Sequence, residues 1–322
     1  MERIANAILT GPTGAIGLAL IDELIRRGVR VTAVCRPGSA RMSDITPHPL
    51  VRVVECDLGD LRSLSMRCTQ DYDVFYHLGW ASTFGAAARD DMDVQVSNIR
   101  FALDAVRTAA ALGCHTFIGA GSQAEYGRVE GLLRPDTPCF PENGYGMAKL
   151  CAGEMTRVES EKLGLRHIWT RILSVYGPGD GAGTLVSTVI NALLDGQTPA
   201  CTAGGQKWDY LYSEDAARAF YMLASSGKHG SVYPLGGGRV CPLKEYICAI
   251  RDEIDPALPI GFGQIPYASN QVTYLGADLS ALTADTGFLP EITFKAGIQK
   301  TISYIKAKRN DSGQNASKEQ RR

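Results

Sequence analysis

The stretch Leu9-Thr10-Gly11-Pro12-Thr13-Gly14-Ala15-Ile16-Gly17 constrains this chain more than any other. It follows an apolar run, Ile4–Leu9, and precedes an amphipathic run, Ile16–Arg27, that Gly28 ends. Glycines between a strand and a helix let the backbone turn tightly and come close to an anion. The helix start then offers free N–H groups and the positive end of its dipole. Short apolar runs recur downstream, at Val29–Cys35, Val51–Cys56, Val74–His77, Thr116–Gly119 and His167–Ile172. Two long amphipathic runs, Met92–Leu112 and Tyr145–Leu163, stand among them. Strands alternating with helices predict right-handed crossovers and a parallel sheet covered on both faces.

The pattern loosens after Tyr176, at the turn-rich Gly177-Pro178-Gly179-Asp180-Gly181. Helices are expected at Leu185–Leu194, Glu214–Ser225 and Leu243–Glu253, and strands at Asp209–Tyr212 and Ser231–Leu235. A Pro/Gly-rich segment runs to Tyr274, and a last helix is expected from Phe294 to about Lys308. The polar residues 310–322 read as a disordered tail. The fold class is α/β: a Rossmann doubly wound parallel sheet with a smaller, discontinuous C-terminal substrate lobe. Residues 1–176 with parts of about 207–245 form the first domain; about 177–206 and 246–308 form the second.

Composition narrows the function. A net charge of −1 with 45% hydrophobic residues argues against a nucleic-acid or membrane-surface protein. No apolar run matches a bilayer span, and no leader pattern precedes the first strand. Nine scattered cysteines, an odd number without Cys-x-x-Cys, predict reduced thiols and a cytoplasmic location. Five histidines without ligand spacing predict no metal.

The glycine loop suits a dinucleotide pyrophosphate, with Gly11, Thr13, Gly14, Ala15, Ile16 and Gly17 as contacts. An NAD site usually places an acid at the end of the second strand. Here that stretch reads Val34-Cys35-Arg36-Pro37-Gly38-Ser39-Ala40-Arg41, without one. Arg36, with Ser39 and Arg41, suits a 2′-phosphate, so NADP(H) is favoured and NAD(H) is the alternative. Asp57 and Leu58 fit an adenine contact; Leu78, Gly79 and Trp80 fit the channel edge.

Tyr145 and Lys149 lie one helical turn apart, on one face. An ammonium beside a phenol favours the phenolate, and the pair suits proton exchange at a carbonyl or alcohol. A second such pair, Tyr304 and Lys308, precedes the polar tail and reads as a decoy.

Read in order, the markers resemble the extended short-chain dehydrogenase/reductase family, the NAD(P)-dependent nucleotide-sugar epimerases, dehydratases and reductases. They are the three loop glycines, Asp57-Leu58, His77-Leu78-Gly79, Asn98, Ser122 with Tyr126-Gly127, and Tyr145-x-x-x-Lys149. Arg171, Tyr176 to Asp180 and Tyr210 to Asp215 complete the set. The resemblance implies that Ser122 bonds the reacting oxygen and that Tyr145 exchanges the proton. It gives Lys149 the nicotinamide ribose and the lowering of the Tyr145 pKa. Asn98 would be structural, and Leu173 and Val175 would flank the cofactor.

The family's dehydratases carry a Thr-Asp-Glu run where this chain has Ser122-Gln123-Ala124. With both carboxylates missing, 4,6-dehydration by that route is not expected. Reduction of a 4-keto-6-deoxy nucleotide sugar with NADPH is favoured, and an NAD-dependent 4-epimerase is the runner-up. A non-catalytic dinucleotide sensor is the reading of another class. Family members place Arg at the position of Trp208, so the diphosphate must be held differently. Ser82, Gln123, Ala124, Ser174, Lys207, Trp208, Tyr267, Asn270 and Gln271 are the substrate candidates. Glu125 is either a substrate contact or structural. Relatives pair across the Met92–Leu112 and Tyr145–Leu163 helices, so a homodimer is expected.

Overall fold

The computed structural model describes residues 3–68, 70–83 and 85–319. Its first half reads, in chain order, β1 (Asn6–Thr10), α1 (Ala15–Arg26), β2 (Arg30–Cys35), β3 (Val51–Glu55), α2 (Leu64–Arg67) and β4 (Val74–His77). Then come α3 (Ala86–Arg89), α4 (Met92–Ala111), β5 (Thr116–Ser122), α5 (Gly144–Lys162), β6 (Arg166–Ile172) and β7 (Ser174–Tyr176). The second half holds α6 (Leu185–Leu194), β8 (Ala200–Cys201), β9 (Lys207–Tyr212), α7 (Ser213–Ser226) and β10 (Ser231–Leu235). It ends with β11 (Val240–Pro242), α8 (Leu243–Asp252), β12 (Gly261–Phe262), α9 (Ser280–Thr286) and α10 (Phe294–Glu319).

Seven strands form one sheet in the order β10-β6-β5-β4-β1-β2-β3, and every pairing is parallel. The chain builds outward from β1 through β2 to β3, then crosses to β4 on β1's other side. That reversal leaves a crevice at the carboxyl ends of β1 and β4, where α/β sheets bind ligands. The central strands β4 and β5 are buried along their whole length, as helix-covered parallel strands must be. The apolar residues of β1, β2, α1 and α7 form one core, and those facing α4 form another. Each fully buried Leu, Ile or Phe in them contributes about 1.5–3 kcal/mol.

A second lobe has its own core. Val186, Val189 and Ile190 of α6 pack there with Ile247 and Ile250 of α8 and Ile298 and Ile302 of α10. Tyr176, Tyr210, Tyr246 and Phe294 fill its centre, with ring centroids 4.5–5.8 Å apart. The small sheet β11-β9-β7 and the pair β12-β8 belong to this side. Strand β9 bridges the two, Leu211 joining the main core and Trp208, Tyr210 and Tyr212 the second, whereas α7 and β10 join the main core.

Two boundaries differ from the sequence pattern. Strand β5 runs on through Gly119-Ala120-Gly121 to Ser122, because those glycines lie under the Trp169 ring and let it cross them. Helix α10 passes its expected end near Lys308 and stays helical to Glu319, through most of the segment read as a disordered tail. Arg309 anchors this continuation to α6, pairing with Asp195 at 2.6 Å and with the Asn191 side chain at 2.6 Å. Residues 320–322 of that tail lie outside the described residues.

Candidate active site

The loop after β1 is built for close approach. Gly11 has φ +71°, and a Cβ there would meet the Leu78–Gly79 backbone at 2.8 Å. A Cβ on Gly17 would come 2.3 Å from the Gly11 carbonyl oxygen. A Cβ on Gly14 would meet only the Gly11 carbonyl oxygen, at an ordinary 3.8 Å. Gly14 is also the N-cap of α1, no side chain caps the helix, and no acid stands in its first turn. The free N–H groups and dipole end therefore point at room for an anion, so these residues fit a dinucleotide pyrophosphate.

Two cavities flank this loop. One, about 410 Å³, is lined by Gly11, Thr13, Arg36, Ser39, Asp57, Leu58, Gly79 and Trp80, among others. Among the sequence candidates this is the adenosine side. Arg36 is exposed and forms no ion pair among the described residues, so its guanidinium is available to a ligand. Arg41 is committed elsewhere: it donates to the Thr13 carbonyl at 2.5 Å and the Gly179 carbonyl at 2.6 Å. That clamps the glycine loop to the turn of the second lobe. The Asp57 carboxylate caps its own turn through the Gly59 N–H at 2.9 Å.

The other cavity, about 480 Å³, takes in Gly11, Gly14, Ala15, Ile16, Gly17, Leu78 and Trp80 at one end. Ser122, Gln123, Tyr145, Lys149, Leu173, Ser174, Val175 and Trp208 line the rest. Trp80 borders both cavities. Asn98 holds the adjacent turn, exchanging two 2.9 Å hydrogen bonds with the Ala81 backbone.

Ser122 ends β5, where its hydroxyl accepts from the Ala124 N–H at 3.2 Å. Its own N–H donates to the Glu125 carboxylate at 2.7 Å. Glu125 is fully buried and also accepts from Trp169 Nε1 at 3.1 Å and Arg171 Nε at 2.7 Å. Three donors converge on one carboxylate, which is an acceptor when ionised. Glu125 is thus structural: it fixes the serine and does not line the cavity. A Cβ on Gly121 would sit 2.3 Å from that carboxylate, so the clasp needs glycine there.

Tyr145 is buried in the first turn of α5, with the Trp80 ring edge-on at 6.2 Å. Burial pushes its pKa up, opposed by the Ser122 hydroxyl and the Arg89 cation. Lys149 follows one turn later on α5 and is also buried. Its ammonium is 5.8 Å from the Tyr145 ring but 3.7 Å from the Trp80 ring, and it donates to the Ala120 carbonyl at 2.5 Å. The β5 carbonyl and the indole face are the nearer electron-rich partners for a buried cation. Burial lowers the Lys149 pKa to about 7. The decoy pair lies on α10, with Lys308 bound to Asp44 at 2.6 Å, and lines neither cavity.

The sugar-side candidates divide. Trp208 donates to the Ser174 hydroxyl at 2.8 Å, inside the catalytic cavity. Tyr267 and Gln271 line a separate outer groove with Arg128 and Glu142. Ser82, Ala124, Lys207 and Asn270 line none of the three. Ala124 is buried beneath Ser122, Lys207 is exposed on an edge of β9, and the Ser82 carbonyl accepts from Gln95. Sequence reasoning missed Arg89, Asp180, Thr184 and Tyr210, which all line the catalytic cavity. Asp180, held by Thr184 at 2.8 Å, has its pKa pushed up to about 6 by burial. It lay within the Tyr176–Asp180 marker, whereas no local pattern flags Arg89.

Among the described residues no helix is long and apolar enough to cross a membrane, and no group of His, Cys, Asp and Glu could hold a metal ion. Residues 7–236 match the model of the NAD dependent epimerase/dehydratase family. The chain is similar to a dTDP-glucose 4,6-dehydratase of Neisseria gonorrhoeae, 26% identical over 94% of this chain and 96% of the relative. In structure it resembles the UDP-N-acetylglucosamine 4-epimerase of Methanobrevibacter ruminantium M1, in complex with UDP-N-acetylmuramic acid. The TM-score is 0.85, with 21% identity over 95% of this chain and 100% of that one. It also resembles the UDP-glucuronic acid 4-epimerase of Bacillus cereus in complex with NAD, with TM-score 0.81 and 20% identity over 94% and 99% of the chains.

Proposed function

Because the chain belongs to the NAD dependent epimerase/dehydratase family, an extended short-chain dehydrogenase/reductase family of enzymes, we propose that it is an NADP(H)-dependent reductase. Its substrate would be a 4-keto-6-deoxy sugar activated by a nucleotide. The single observation that carries this is Tyr145 beside Ser122, in the cavity that the uncapped glycine loop opens onto.

The loop glycines and the start of α1 would hold the pyrophosphate, and Arg36 with Ser39 the 2′-phosphate. When bound, the nicotinamide supplies the hydride. The residues of this chain do the rest. Ser122, fixed by Glu125, donates to the keto oxygen and holds it against Tyr145. Tyr145 gives its proton to that oxygen as the carbon gains the hydride, and water restores the phenol. Lys149 and Trp80 form the wall beside the ribose. Trp208 and Ser174 present an indole face and a hydroxyl to the sugar.

Dehydration gains no support from this geometry. Gln123 is neutral, Ala124 is buried, and Glu125 is consumed by its three donors. The relation to 4-epimerases supports a second reading, NAD-dependent 4-epimerisation, in which hydride leaves and returns within one turnover. We also propose that the protein acts as a homodimer. Val96, Met147, Met155 and Val158 leave an exposed apolar face on α4 and α5.

Denaturing the purified protein and identifying the released nucleotide separates the readings. Preference for added NADPH over NADH with a keto-sugar nucleotide supports reduction; tightly held NAD released on denaturation would replace it with epimerisation. In either case Tyr145→Phe should bind dinucleotide and lose most turnover. Wild-type turnover in that variant would overturn both.

A further inference from the structure

Trp80 lines both the catalytic cavity and the adenosine-side cavity, so a dinucleotide lying across the two passes its ring. The Lys149 ammonium sits 3.7 Å from the centre of that ring. Trp80 Nε1 donates to the Gln95 side chain at 3.0 Å. Gln95 is itself buried, and its amide donates to the Ser82 carbonyl at 3.3 Å and the Ala88 carbonyl at 3.2 Å. Asn98 holds Ala81 from the same helix. Between these anchors Ser82 has φ +59°, a positive value that no other non-glycine among the described residues shows. Such a backbone persists only where its surroundings fix it. The turn that presents the indole is therefore held in place.

Lys149 has few other partners. It is buried, it forms no ion pair among the described residues, and it donates to the Ala120 carbonyl. The indole face covers a second side of the ammonium, and the remaining side lines the catalytic cavity. Burial disfavours the charged form, whereas a ring face beside an ammonium favours it. Of the neighbouring groups, Glu125 also favours the charge, but its carboxylate is engaged by Arg171 at 2.7 Å. His77 of β4 is neutral, burial holding its pKa at about 3. The Tyr145 ring lies farther off, at 5.8 Å, and Arg89 of α3 lies against that ring.

We propose that Trp80 is a positioning residue that keeps the Lys149 ammonium charged and turned into the cavity. Trp80 acts through Lys149. The parts expected of Lys149, holding the ribose and lowering the Tyr145 pKa, both need that charge. A carboxylate in the place of the indole would support the ammonium too, but it would set a negative charge beside the phenolate. The neutral ring face avoids that conflict. The inference rests on the proposed proton-exchange role of Tyr145.

The test removes the ring face while keeping the ammonium covered. Trp80→Leu does so, and Trp80→Phe retains a ring. The Lys149 side chain is followed by NMR through a pH titration of the ligand-free protein, its signal assigned with Lys149→Met. The midpoint, about 7 in the wild type, should fall by about one pH unit in Trp80→Leu. Trp80→Phe should recover most of that loss. In alcohol oxidation the rising limb of the pH–rate profile should move upward in Trp80→Leu, and the rate at neutral pH should drop roughly tenfold. In a Lys149→Met background the same change should no longer move the limb.

An indole that merely fills space would alter the rate or the KM and leave the Lys149 midpoint where it was. An unmoved midpoint in Trp80→Leu beside an inactive Tyr145→Phe overturns this inference and spares the proposed function. Wild-type turnover in Tyr145→Phe overturns the proposed function. A limb shift that keeps its full size in the Lys149→Met background also overturns the inference, because Trp80 would then act by another route. Should Trp80→Leu fail to fold, the wild-type protein carries the test. Its Trp80 emission, taken as the difference from Trp80→Phe, should change with the Lys149 midpoint, and Lys149→Met should abolish the change. Emission that ignores pH across the neutral range would refute the contact.

Discussion

One methyl group at Gly17 would sit 2.3 Å from the Gly11 carbonyl oxygen, against backbone that cannot step aside. Gly17→Ala should therefore distort the anion cradle, and loss of dinucleotide binding by titration calorimetry would register it. Arg36 is a simpler case, an exposed guanidinium on the rim of the adenosine-side cavity. A charge-assisted hydrogen bond is worth about 1.5–3 kcal/mol. Arg36→Ala should thus weaken NADP(H) roughly tenfold or more and leave NAD(H) almost unchanged. Equal losses for both would make Arg36 irrelevant to the choice. Glu125→Gln would set an amide against three converging donors and leave Arg171 unpaired. Breaking a buried pair costs about 3–5 kcal/mol, so a lower urea midpoint and a lower kcat are expected together. The glycine loop and the Tyr145/Lys149 spacing were legible because each is local. Arg89 was not, since it meets Tyr145 from 56 positions earlier in the chain.

At the level of elements, the strongly patterned strands and helices match the sequence within about two residues at most ends. The misses have physical causes. Gly119-Ala120-Gly121 resembles a loop, yet it is strand, because the missing side chains make way for Trp169. Strands β7, β8, β11 and β12 are two or three residues long, too short for a period to show. Helix α5 carries an unusual burden, a buried lysine in its second turn. Burial lowers the Lys149 pKa from 10.5 to about 7, so between those values the unfolded chain binds more protons than the folded one. The sign follows: stability rises with pH from about 7 toward 10.5, and the penalty is fully present below 7. Lys149→Met should therefore stabilise the ligand-free protein most at or below pH 7 and hardly at all near pH 10.5. Urea unfolding across that range checks it, and a pH-independent difference would remove the argument.

Over the whole molecule, two cores meet along the crevice and Arg41 straps one to the other. The parallel sheet was legible from alternation alone, while the second lobe was legible only as a loosening of the pattern. The outer face of α4 and α5 keeps large apolar side chains in water, Val96 being 64% exposed and Met155 43%. If those helices pair between two copies, Met155→Arg should convert the dimer into a monomer by light scattering. An unmodified wild-type monomer would dispose of the proposal.

The chain has three tryptophans, and each occupies a different station of the crevice. Trp80 stands where the two cavities join, Trp208 at the sugar end, and Trp169 beneath the floor on Glu125. The protein thus carries its own optical gauge. Quenching through Trp80 should track coenzyme arrival and a change at Trp208 should track the sugar, with Trp169 supplying a steady baseline, so each partner can be followed without an added dye.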